Sequence, residues 1–199
     1  MRDIAVWSRH CPPDKLAKKF PGYLVLDLTS RGEQPWVRFS PFYPLGGIPV
    51  PNFPQHLSQS VEGVWQGLKV FENHGVDLSK FEVTSMKGLK RTVRKFGRCR
   101  GHSTDGSGLL GYLDARLQIY LPTYRWALEN RLQEEVEALR ELAEKSPLLL
   151  LDYETNPDVC NLKKPLSHAA LVARFLREEW PEKDVRLGSD QSSSRQYRK

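Results

Sequence analysis

Glu62, Gln66 and Lys69 lie four and three residues apart within Ser60-Val-Glu-Gly-Val-Trp-Gln-Gly-Leu-Lys69. On a helix this spacing gathers them into one stripe. A carboxylate beside a carboxamide and an ammonium can orient a water or stabilise a developing positive charge. The same stripe also reads as a solvated face with a Glu–Lys pair. Upstream, residues 30–58 hold Pro35, Pro41, Pro44, Pro49, Pro51 and Pro54 beside Trp36, Phe39, Phe42, Tyr43 and Phe53. A long loop with so many aromatics is expected to wrap the body and line a pocket. Phe42, Tyr43 and Trp65 offer rings to stack on a ligand, although Trp65 reads equally as core.

Other residues have weaker claims. Tyr120 and Arg125 flank Pro122, where they reach the same pocket or pack a corner between helices. Asp152 reads as a strand-end cap and Asp158 as a turn residue, or either as a second carboxylate. His168 reads as a structural helix-start histidine. Cys11, Cys99 and Cys160 lack a CxxC spacing, and no histidine pair has ligand spacing. A reduced, cytoplasmic protein with no metal site and no cofactor is expected.

Several elements must position these groups. Residues 4–7 and 23–28 predict short strands, with a helix over 14–20 between them. A helix follows over 60–72, capped by Ser60, with Val61, Val64, Trp65, Leu68 and Phe71 inward. Residues 86–97 predict a basic helix with Leu89, Val93 and Phe96 inward, then a Gly/Ser-rich loop over 102–108. A helix over 109–121 is expected to stop at Pro122, and a longer one to run from there to about Lys145. Trp126 or Leu128, Leu132, Val136 and Leu139 face inward in it. Residues 147–152 predict a buried strand, and 166–178 a last helix. This is an α+β, mainly helical chain whose helices pack around a small sheet of short strands. One globular domain over 1–185 is expected, followed by a basic, disordered tail over 186–199.

The chain has 199 residues and a net charge of +6. Its apolar fraction of 39% excludes wholesale disorder. No run is long enough for a membrane helix, and the first residues lack a signal peptide. Lys87, Lys90, Arg91, Arg94, Lys95, Arg98 and Arg100 form a segment without an acid. The tail adds +3, so subtracting both segments from +6 leaves −4 on the rest. Lys87, Lys90, Arg91, Arg94 and Arg98 are candidate phosphate or nucleic-acid contacts, and they read equally as a solvated basic face.

Phe39-Ser-Pro-Phe-Tyr-Pro44, followed by the Ser60–Lys69 run, resembles the opening of the NADAR (NAD- and ADP-ribose-associated) superfamily. That group carries F-S-N-F-Y-P, a short hairpin and a helix of the form S/T-x-E-x-x-Y/W-Q-x-x-K. Residues 114–128 and 151–158 resemble later parts of the family more loosely. Pro41 replaces its usual Asn, residues 44–58 are Pro-rich rather than a simple hairpin, and Val159-Cys160 stands in place of its Trp-Gly pair. The resemblance implies a NADAR-like fold and hydrolysis of an N-glycosidic bond in an ADP-ribosyl or related ribosyl-phosphate adduct. Glu62 would then be the catalytic carboxylate, with Asp158 a second one. Gln66 and Lys69 would hold hydroxyls or phosphate, and Phe42, Tyr43, Trp65, Tyr120, Arg125 and Asp152 would complete the substrate contacts. If the adduct sits on nucleic acid, the basic helix becomes its docking rail. The alternative is a non-catalytic nucleotide- or nucleic-acid-binding protein that uses residues 87–100.

Overall fold

A computed structural model describes residues 3–104 and 108–181. The expected tail, and the end of the expected domain at 185, lie outside the described residues.

β1 (Ile4–Ser8), α1 (Pro13–Lys19) and β2 (Leu24–Asp27) form where the sequence predicts them. β1 and β2 do not pair with each other. Both run parallel to a strand from far along the chain, Leu148–Asp152, which lies between them. That strand is buried along its whole length, so its run of four leucines needs no alternation. Leu149 and Leu151 pack with Leu16 of α1, while Leu148 and Leu150 enter the main core. This is the period-two division of a strand covered on both faces.

The Pro-rich stretch is partly ordered. A 3-10 turn spans Trp36–Phe39, and β3 (Ile48–Val50) pairs antiparallel with β4 (Phe53–Ser58). Residues 44–58 thus contain a hairpin after all. Asn52 makes its turn in the left-handed region, with φ 62°.

α2 covers only Val61–Gly67, shorter than the expected helix. Ser60 caps it, its Oγ accepting from the Gly63 N–H at 3.0 Å. The chain then becomes β5 (Lys69–Phe71). The guanidinium of Arg91 explains the early end. It donates to the carbonyls of Gln66 and Lys69 at 3.2 and 2.6 Å and to Gly75 at 2.8 Å. The terminal carbonyls therefore find a partner without another helical turn. Gly67 lets Phe81 pack close, since a Cβ there would lie 2.3 Å from the ring.

No basic helix spans 86–97. Only α3 (Val93–Phe96) is helical, and Val93 is exposed rather than inward. Arg91 is drawn into the body, Gly88 and Gly97 take positive φ, and closely spaced like charges oppose helix growth. Leu89 is buried, as its apolar character predicts. The expected loop over 102–108 is instead strand at each of its described residues. β6 (Cys99–Thr104) pairs with β5 and with β7 (Gly108–Leu110).

Pro122 does not stop its helix. α4 (Tyr112–Ala115) passes through a π-helical turn, Arg116–Tyr120, into α5 (Leu121–Asn130). The wider turn sits where the proline lacks an N–H and its ring would crowd the preceding turn. The break falls instead at Arg131–Leu132, before α6 (Gln133–Lys145). Leu128, Leu132, Val136 and Leu139 are buried, as their spacing predicts. β8 (Leu148–Asp152) and α7 (His168–Leu176) complete an α+β fold. Ser167 caps α7, accepting from the Ala170 N–H at 3.1 Å.

Candidate active site

α2 is buried along its whole length, its polar residues included. Glu62 is 7% and Gln66 4% exposed. Their stripe is therefore not a solvated face. It forms one wall of a cavity of about 420 Å³. Into the same cavity come Phe42 from the aromatic loop, Trp65 from α2, Lys69 from β5 and Tyr120 from the π-helical turn. Lys90 and Asp152 also line it.

Within this group the hydrogen bonds are directional. The Arg91 main-chain N–H donates to Gln66 Oε1 at 3.1 Å. The amide of Gln66 is therefore turned toward Glu62, and its Nε2 donates to Glu62 Oε1 at 2.7 Å. Burial raises the proton affinity of Glu62, while Gln66, Lys69, Lys90 and His168 act in the other direction without cancelling it. Burial lowers the pKa of Lys69 despite the neighbouring Glu62. Each lysine lies near an aromatic ring. The Lys69 ammonium is 5.7 Å from the centre of Trp65, and that of Lys90 is 5.5 Å from the centre of Phe42. Trp65 is both core and wall: it lines the cavity and backs onto His102 at 3.9 Å between ring centres. Burial, with Lys69 nearby, drops the His102 pKa to about 3, so this imidazole is neutral.

His168 and Asp152 form a second group. Asp152 Oδ2 lies 3.0 Å from His168 Nδ1 and accepts from Ser167 Oγ at 2.7 Å and the Ala169 N–H at 3.1 Å. The other nitrogen, Nε2, faces the Leu28 carbonyl at 2.9 Å. Both ring nitrogens meet acceptors, which calls for the imidazolium. Burial works against both charges. The mutual attraction and hydrogen bonds prevail, holding Asp152 below and His168 above their ordinary values. This ion pair ties the ends of β2 and β8 to α7.

The structure separates the other candidates from the cavity. Asp158 lies in a turn, its Oδ1 accepting from the Cys160 N–H at 2.8 Å. Tyr43 points elsewhere, its hydroxyl accepting from Gln34 at 3.2 Å. Arg125 pairs with Glu129 along α5 at 2.8 Å. Among the basic candidates, Lys90 alone lines the cavity. Arg91 is 5% exposed and engaged with backbone, so it is no phosphate contact. Lys87, Arg94 and Arg98 are exposed outside the cavity.

Sequence reasoning missed Ser30, Ser40, Tyr112, Arg116, Tyr153 and Glu154 as lining residues. Arg116 carried a signal, a lone arginine among apolar residues. It is 2% exposed and donates to the carbonyls of Val159, Asn161 and Lys164 at 2.8, 3.0 and 2.6 Å. It thereby organises the β8–α7 connection. Among the described residues no group of three or more His, Cys, Asp or Glu side chains comes together to hold a metal ion. Among them, too, no helix is long and apolar enough to cross a membrane.

A profile for a family of unknown function, DUF6939, matches residues 8–172. The chain belongs to the DUF6939 family. Every residue that lines the cavity, from Ser30 to His168, falls within the stretch shared with DUF6939. No curated protein matches the sequence.

Proposed function

We propose that this cavity hydrolyses the N-glycosidic bond of an ADP-ribosyl or related ribosyl-phosphate adduct, with Glu62 as the catalytic carboxylate. One observation carries the reading: a buried glutamate, oriented by a fixed amide, shares a cavity with two lysines and five aromatic rings. The NADAR resemblance of residues 39–69 supports the same chemistry and the same fold relationship. The C1–N bond breaks with its electron pair leaving on nitrogen, and the sugar becomes oxocarbenium-like. The Glu62 carboxylate stabilises that cation. Water then adds its oxygen to C1, and its proton ends on the departed nitrogen. Lys69 and Lys90 hold phosphate, while Phe42 and Trp65 flank the ring or base. The setting is the cytoplasm, which suits the free thiols of Cys11, Cys99 and Cys160.

The test is incubation with an ADP-ribosylated guanine oligonucleotide and with N-ribosyl intermediates of riboflavin synthesis. Release of ADP-ribose or ribose phosphate, abolished by Glu62→Gln, is the expected result. No release from any of them overturns the proposal.

A second reading, binding without turnover, is favoured by the exposed Lys87, Arg94, Lys95, Arg98 and Arg100 along one segment. Neutralising Lys90, Arg94 and Arg98 then weakens polynucleotide binding and flattens its salt dependence. Arg91 is spared in that test because it holds the fold. Unchanged affinity in the triple variant ends this reading.

A further inference from the structure

The polar groups of the cavity divide into those already engaged and those still available. Asp152 and His168 satisfy each other, Gln66 is bound at both ends of its amide, and Arg116 is turned to backbone carbonyls. Glu154 is different. It lines the cavity and is half-buried, and among the described residues it has no hydrogen-bond or ion-pair partner. The backbone just before it is held. The Arg9 N–H donates to the Asp152 carbonyl at 2.8 Å, and the Tyr153 N–H donates to Asp152 Oδ1 at 2.7 Å. Glu154 thus lies two residues beyond the anchored end of the central strand.

An ionised carboxylate offers only acceptors. Held ready in a cavity, it fits a group with two adjacent donors and repels phosphate. The ligand's anionic end belongs with Lys69 and Lys90, which come from other segments of the chain. We infer that Glu154 accepts hydrogen bonds from the vicinal hydroxyls of the ligand's sugar, so that the site discriminates ribose from 2-deoxyribose. This rests on the ribosyl-phosphate reading above, and it assigns the unpartnered carboxylate of the cavity to specificity.

Calorimetric titration of the full chain with ribose 5-phosphate and with 2-deoxyribose 5-phosphate tests the assignment. The wild type is expected to prefer the ribose compound by about tenfold, the usual scale for a hydrogen bond to a charged group. Glu154→Leu should erase the preference, weakening the ribose compound more than the deoxy compound, which keeps only the 3-hydroxyl for Glu154 to accept from. Glu154→Gln, which keeps one acceptor, should retain part of it. The inference is overturned if the wild type shows no preference, if the preference survives in Glu154→Leu, or if neither compound binds. Discrimination without any turnover of adducts defeats the hydrolase reading alone. Turnover with no discrimination defeats this inference alone.

Discussion

Gln66 Nε2 donates to Glu62 Oε1 at 2.7 Å from one helical turn away, and it cannot turn over without breaking its bond to the Arg91 main chain. This hydrogen bond favours the ionised form of Glu62 against the burial that disfavours it. Gln66→Leu removes that support and raises the Glu62 pKa further. If Glu62 works as a carboxylate, the rising limb of the pH–rate profile moves to higher pH. A profile unchanged in Gln66→Leu counts against the carboxylate role.

Glu62→Gln should separate activity from stability. Loss of a charge aimed at the transition state costs on the order of a hundredfold or more in rate. The amide no longer carries the burial penalty of a carboxylate, so the thermal midpoint should hold steady or rise. Turnover assays alongside thermal unfolding check both halves.

Arg91 and Arg94, close in sequence, should behave very differently. Arg91→Ala strips donors from three buried or partly buried carbonyls, an expected loss of about 2–4 kcal/mol. Arg94 is exposed, and its replacement should change stability by less than about 0.5 kcal/mol. Urea unfolding of the two variants gives the comparison.

Three groups give stability a pH dependence of known sign. The raised pKa of His168 means its contribution is full below 6.5 and fades as pH rises through the folded value. Asp152 contributes above 3.8 and loses that contribution as pH falls through its lowered value. His102, neutral in the fold, imposes a growing penalty as pH drops from 6.5 toward about 3. His168→Gln should therefore flatten the alkaline decline, and His102→Leu should ease the acid one. Denaturation midpoints collected across pH distinguish them.

The strands of the β1–β8–β2 sheet and the first and last helices could be read from the sequence because local rules suffice there. β-branched and aromatic runs marked β1 and β2, a leucine run marked β8, and Ser167 caps α7. Non-local contacts decided the rest. The length of α2 depends on Arg91, and the fate of the basic segment depends on the same side chain turning inward. No periodicity in either stretch records that contact. The helix stripe did bring Glu62, Gln66 and Lys69 to one cavity, although Lys69 arrives from a strand. Asp158, in contrast, serves a turn, while Glu154, four residues earlier, faces the cavity. Spacing alone could not distinguish two acids on one irregular connection.

The middle position of β8 also sets an order for biosynthesis. β1 and β2 emerge early from the ribosome, yet neither has the other as a partner, and both wait for Leu148–Asp152. The hydrogen bond that joins Leu28 to α7 waits longer still, for His168. A nascent chain that has made Glu62 thus lacks the walls supplied by Asp152 and His168, and any chemistry at this site begins only after α7 has been made.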